Sequence, residues 1–299
     1  MSGDTSQQTG PAAADEADPW VPSALEQERR AYRSSRARRS SLVAALSTAA
    51  LLGLVVGLVV TSPGWERVKE TFFNWDKAVD SFPAVLEGLW LNIRIMLICA
   101  VLIGIFGLTL AVMRTIRGPV AFPLRLFATA YVDLFRGLPL LLVLFLLGFG
   151  APALRLSGLP NSALFWGATA LVLSYSAYVA EVFRAGIESV HPSQRAAARS
   201  LGLSYAQTMR RVVLPQAVRR VTPPLLNDFV ALQKDVGLIS VLGAFDAVRA
   251  AQVAADAAFN FTPYMVAGLL FVLLAIPTIR LADWYTARLR KREQMGSIV

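Results

Sequence analysis

Residues 191–215, HPSQRAAARSLGLSYAQTMRRVVLP, lie between two long apolar stretches and carry Arg195, Arg199, Arg210 and Arg211. After the turn made by His191 and Pro192, Ser193 is placed to cap a first short helix over 194–201. Gly202 then takes the left-handed position just past the helix end, where a Cβ is unfavourable. Ser204 caps a second helix, with Gln207 three residues on completing a capping box. Pro215 is expected to end that helix, because proline cannot extend the hydrogen-bond ladder. The first helix presents Ala196, Ala197, Ala198 and Leu201 as a small, smooth face beside Arg195 and Arg199. Two uses fit such a hairpin: lying on lipid headgroups, or acting as a docking knob for a soluble partner. Either way, a basic helical hairpin joins two membrane spans. The fold class is an all-α integral membrane protein.

The composition agrees. Hydrophobic residues make up 55% of the chain and charged residues 16%, and the mean hydropathy is +0.52. Apolar blocks reach about 18 residues or more, enough for a helix to cross a hydrocarbon core of about 30 Å. The net charge of +9 points to membrane orientation before nucleic acid, and no nucleic-acid partner is expected. One cysteine, Cys99, excludes internal disulfides, and one histidine, His191, builds no metal cluster alone. No metal site is expected. No GxxxxGK[ST] occurs, so the chain does not hydrolyse ATP through a P-loop.

Six spans are expected, near 42–61, 89–113, 139–154, 163–182, 223–243 and 263–282, with an amphipathic stretch 121–136 before the third. Residues 1–40 read as a disordered cytoplasmic tail ending in an Arg-rich anchor, Arg29 to Arg39, against the first span. That span, 41–62, is followed by an extracytoplasmic linker, 63–81. A main bundle over 82–285 and a basic cytoplasmic tail over 286–299 complete the chain. Arginines concentrate in 1–41, 114–138, 183–222 and 283–299, while 62–88, 155–162 and 244–262 carry slightly more acid than base. Both termini and the hairpin are therefore expected on the cytoplasmic side. No repeat of fixed period is visible, which argues against the inverted-repeat plan of many secondary transporters.

AAARSLGLSYAQTMRRVVLP resembles the EAA signature, EAA-x3-G-x9-I-x-L-P, of the permease subunits of ABC transporters. Ala197, Ala198, Gly202, Leu214 and Pro215 match in register. Val212 stands for Ile, and Ala196 for the opening Glu. YVDLFRGLPLLLVLF (131–145), AYVAEVFRAGIESV (177–190) and LPQAVRRVTPPLLNDFVALQKDVGLISVLG (214–243) resemble further segments of the polar amino-acid branch. Together they span roughly 82–285. The resemblance implies a type I ABC importer permease bundle of about six helices, with 191–215 as its coupling hairpin. It also implies an ATPase subunit dimer binding ATP and Mg, a second permease (the same chain or a paralogue), and an extracytoplasmic substrate-binding protein. The location implied is a bacterial inner membrane, with membrane lipid as the remaining partner. Coupling residues would be Ala196, Ala197, Ala198, Arg199, Leu201, Gly202, Leu203, Leu214 and Pro215.

Charges within a bilayer are costly and need a reason. Gln233, Lys234 and Asp235 fall near the centre of the fifth span, where Asn227 shares a face with Lys234, and Asp228 with Asp235. In the fourth span Ser174, Tyr178 and Glu181 share a face, with Arg184 three residues on. These groups either pin the bundle through neutralised pairs or line a path for an amino acid's charged ends. The path candidates are Tyr178, Glu181, Asn227, Asp228, Gln233, Lys234 and Asp235, with Lys234 and Asp235 both facing a polar interior. Glu87 and Arg94 are expected to pair at the outer interface. A secondary transporter or channel for small polar solutes is the alternative. An enzyme is not indicated, since no nucleophile–base pair or metal constellation is present, and no cofactor is expected in this chain.

Overall fold

The computed structural model describes residues 23–116, 118–155 and 157–296. The tail read as disordered lies outside the described residues over 1–22, and so do Arg117, Leu156, residues 297–299 and the side chains of Ser34, Ser35, Arg38 and of 290–296. The chain forms two compact units, Met1–Glu66 and Arg67–Val299.

In the first unit, helix α1 (Ala24–Val60) is capped by Ser23, whose hydroxyl accepts from Glu26 N. It runs unbroken through the Arg-rich segment into the apolar span Arg39–Val60. The expectation of disorder up to residue 40 is thus corrected. Residues 24–40 contain no proline or glycine, so nothing interrupts a helix propagating outward from the span.

The second unit is built on α3 (Trp75–Thr115) and α7 (Ala163–Glu188), which pack along each other. The linker over 63–81 is itself helical, holding α2 (Trp65–Phe72) and the start of α3. Asn74 caps the start of α3: its side chain accepts from Lys77 N at 3.1 Å, and its N–H donates to Thr262 Oγ1 at 3.0 Å. Helix α4 (Phe122–Gly137) stops at Leu138, which is extended (ψ 134°) because Pro139 disfavours the α conformation before it. The chain turns by 106° into α5 (Leu140–Phe145), a π-helical turn and α6 (Ala151–Ala153).

After α7 come α8 (Pro192–Ser200) and α9 (Tyr205–Thr208), then a π-helical turn over Met209–Val213 that leads into α10 (Leu214–Asp235) and a 3-10 segment, Val236–Leu242. Pro215 therefore does not end a helix. It stands in the first turn of α10, and the wider π turn before it removes the i−4 carbonyl clash that a proline meets in a regular α-helix. The expected outer loop over 244–262 contains α11 (Ala247–Ala258), and α12 (Thr262–Gly296) follows.

Among the described residues, four helices are long and apolar enough to cross a membrane, or up to six if each of two bent pairs is one span. The main core joins Ile95, Cys99, Leu144, Leu171, Leu232 and Ile239, from α3, α5, α7, α10 and the 3-10 segment. A second core packs Val85 and Leu89 against Ala247, Ala250 and Ala251. Here α11 approaches so closely that a Cβ on Gly88 would collide with the Ala247 backbone.

Candidate functional site

The hairpin is ordered by its own hydrogen bonds. α8 is capped by His191, not Ser193: Nδ1 of His191 accepts from Ser193 N at 3.2 Å. Pro192 occupies the first helical position, where its fixed φ and missing N–H cost nothing, so the cap falls one residue before it. Gly202 has φ +80°. Its N–H donates to Arg199 O and that of Leu203 to Ala198 O, which closes α8 in a Schellman motif. Ser204 and Gln207 form the expected capping box, with bonds of 3.3 and 2.9 Å.

This folding sorts the coupling candidates. Ala198 is buried, as are Thr208 and Val213 of the second limb. Ala196, Ala197, Arg199 and Gly202 are exposed, Leu203 is half-buried, and Leu201 is 83% exposed at the tip. Leu214 and Pro215 are exposed on the first turn of α10. Two arginines tie the hairpin and the helix after it to α7: Arg195 donates to Ile187 O, and Arg220 of α10 to Ser189 O. Both satisfy carbonyls at the C-terminal end of α7, where orphan acceptors and the helix dipole favour a cation.

Higher in the bundle, α3, α7 and α10 border a half-open cavity of about 180 Å³ lined by Ile103, Tyr175, Phe183, Asp228 and Phe229 among others. Tyr175 donates to Asp235 Oδ2 at 2.7 Å. Asp228 faces the cavity with a buried Oδ2 that has no hydrogen-bond partner among the described residues. Gln233 is 1% exposed, and its Nε2 is likewise unpartnered there. Asn227 and Lys234 share a face as expected, but that face is exposed and neither residue lines the cavity. Lys234 and Asp235 therefore do not share one polar interior. Adjacent helical residues project about 100° apart, and only Asp235 turns toward α7.

Tyr178 is 43% exposed and donates to Arg136 O at 3.4 Å. Glu181 accepts from Arg114 at 2.7 Å and from Arg184 on both oxygens, with Arg136 at 3.9 Å. Arg184 also binds Glu188. This cluster pins α3 and α4 to α7 and leaves Glu181 fully engaged. Glu87 and Arg94 are both exposed and form no ion pair with each other. No group of three or more metal-ligating side chains occurs among the described residues.

Two features escaped the sequence. Tyr175 lies beside the chosen Ser174 and Tyr178, and the signal was the pairing of a tyrosine with an acid on a neighbouring span. Asn92 and Asp246 are fully buried: Asn92 Nδ2 donates to Asp246 Oδ2 at 3.0 Å, and Asn92 Oδ1 accepts from Ala247 N at 3.1 Å. Asp246 Oδ1 in turn caps α11 through Arg249 N at 2.9 Å. An asparagine inside an apolar run was the available cue.

Residues 105–291 match the family described as binding-protein-dependent transport system inner membrane component. The chain belongs to this family. It is a multi-pass membrane permease component, a class that is not itself enzymatic. It is 33% identical to the arginine transport system permease protein ArtQ of Bacillus subtilis (strain 168), over 68% of this chain and 91% of that protein. It is 35% identical to the probable glutamine ABC transporter permease protein GlnM of the same organism, over 71% of this chain and 96% of that one. Among solved structures, an amino acid ABC transporter with histidines aligns at TM-score 0.65 and 32% identity, covering 70% of this chain and 96% of its own. The MetNI methionine ABC transporter in an inward-facing form, at 16% identity and TM-score 0.57, shares the fold. The permease match begins inside α3, so α1 and α2 lie outside it.

Proposed function

We propose that this permease imports polar amino acids, driven by ATP bound with Mg in a separate ATPase dimer that docks on residues 191–215. The observation that carries the reading is mechanical continuity. One helical run, Tyr205–Leu242, holds the second limb of the hairpin at one end and, farther along, Asp228 in the cavity wall and Asp235 bonded to the cavity-lining Tyr175. About 35 Å separates Tyr205 from Asp228 at 1.5 Å per residue. A push on the exposed Leu201 tip would reach the cavity as a rigid-body displacement of α10, and through Arg195 as a displacement of α7.

The names of the relatives, which concern arginine, glutamine and other amino acids, support the substrate class. Within the path, Asp228, Gln233 and Asp235 are the groups for an amino acid's polar ends, with Tyr175 holding Asp235. Glu181 serves as a staple. Asn227 and Lys234, exposed on α10, suit burial against a second permease, since a lysine at that depth needs a polar cover. An extracytoplasmic binding protein delivers substrate on the side opposite the hairpin, and both termini face the cytoplasm. The 82–285 bundle does the transport, with 1–40, 41–62, 63–81 and 286–299 as tail, extra span, linker and basic tail.

Liposomes containing the permease, its ATPase and its binding protein should take up labelled amino acid only with internal ATP. Uptake by the permease alone down a solute or ion gradient would instead favour a secondary transporter or channel.

A further inference from the structure

The hairpin carries a small polar cavity that its own residues leave unsatisfied. Arg195, Arg199, Tyr205, Thr208, Met209 and Val213 line about 60 Å³ between its two limbs. Thr208 is 5% exposed, and its Oγ1 has no hydrogen-bond partner among the described residues. Arg195 spends its Nη2 on Ile187 O, but its buried Nε is also without a partner there. Both residues line the one cavity, and an unmade hydrogen bond at a buried polar group is costly. Among the described residues, the charged side chains lining it are two guanidinium groups.

The hairpin has no acidic side chain of its own to offer them. Residues 191–215 contain four arginines and not one Asp or Glu, and Ala196 stands where the EAA pattern has its acid. What fits is an acceptor with negative charge, small enough for roughly two water-sized volumes of about 30 Å³ each. A carboxylate meets both demands, accepting from the guanidinium fork and from a hydroxyl together. A nucleotide or a lipid headgroup is too large.

We infer that this cavity is a carboxylate socket, filled on assembly by an Asp or Glu side chain of the ATPase subunit. This rests on the reading of 191–215 as the coupling hairpin. It reverses the polarity that a hairpin acid would supply: here the permease contributes the cations and the ATPase the anion. Arg199, exposed at the rim, steers the carboxylate in, while Arg195 and Thr208 receive it at depth.

The test uses the full permease in nanodiscs, titrated with the ATPase subunit at increasing salt, with size-exclusion profiles confirming that each variant is folded. Arg199→Gln should weaken association about tenfold and flatten its salt dependence. Thr208→Val should weaken it several-fold with the salt dependence retained, and Thr208→Ser should bind like the parent. If Arg199→Gln and Thr208→Val both bind like the parent while Leu201→Asp abolishes association, the hairpin docks but the socket is wrong. If Leu201→Asp also binds like the parent, the coupling reading falls with it.

Discussion

Gly202 turns the chain between the two limbs of the hairpin at φ +80°, with open space around the position of a Cβ. The constraint there is conformational, not steric crowding. A β-branched residue in that region costs about 1–2 kcal/mol of strain, enough to distort a nine-residue helix end without touching the bundle. Gly202→Val should therefore insert normally and lose ATPase association, as read by co-purification. Binding and uptake equal to the parent would mean that the turn tolerates relaxation. This position was legible because glycine has one structural use there. The cap was not: Ser193 is a stronger helix-capping type than His191, yet Pro192 at the first helical position moved the boundary back. Ala196 consequently lies too deep in α8 for a capping box, and Ala196→Glu gains nothing from Ser193. The Tyr175–Asp235 bond makes a second forecast at this scale. Tyr175→Phe leaves a carboxylate without its donor, a loss of about 1.5–3 kcal/mol for a charged hydrogen bond. Lys234→Met, on an exposed face, should stay within about 0.5 kcal/mol. Thermal unfolding in detergent should rank Tyr175→Phe well below both the parent and Lys234→Met, and equal shifts would contradict the separation of Lys234 from Asp235.

Among the elements, α11 is one that hydropathy could not announce, as is α2. The twelve residues of α11 are rich in alanine and too short to span, and the stripe they bury (Ala247, Ala250, Ala251, Ala255) is made of alanine alone, so they read as outer loop. What makes α11 part of the bundle is close approach at Gly88 and the buried Asn92–Asp246 pair. Replacing Asn92 by Leu keeps approximate size but removes the donor to Asp246 Oδ2 and the acceptor for Ala247 N. Leaving those groups unpaired costs about 1–3 kcal/mol each. Hydrogen exchange should rise across 247–258 in Asn92→Leu while α7 stays protected, and uniform change in both would point to global loosening instead. Gly88→Val, acting by collision with the Ala247 backbone, should give the same local pattern. The α10 run teaches the converse. Pro215, Pro223 and Pro224 each argue for a helix break, yet the helix passes all three. The π turn before Pro215 is invisible to a rule that counts prolines, because it depends on which carbonyl the ring would meet.

For the whole molecule, the count of spans depends on how two bends are read: 106° at Leu138–Pro139 and 51° between Tyr205–Leu242 and α11. Hydropathy found every apolar block but set their ends short. Polar turns such as 75–88 and 205–222 continue the helices beyond the apolar core, and a hydropathy window cannot tell a solvated helix from a loop. Orientation rests on a separate argument, the clustering of arginine beside alternate ends of the spans. It makes a demand on single-cysteine variants in a Cys99→Ala background, Cys99 being buried at 1% exposure. Ser204 lies on the exposed hairpin and Ser62 just past the opposite end of α1 from its arginines. In intact cells, an impermeant thiol reagent should label Ser62→Cys and spare Ser204→Cys, and permeabilising the membrane should make both reactive. Both positions are exposed, so protection of Ser204→Cys before permeabilisation reports the bilayer and not packing. Labelling of Ser204→Cys from outside would place the hairpin away from any cytoplasmic ATPase. It would remove the coupling assignment and the carboxylate socket together, and leave the family membership and the fold untouched.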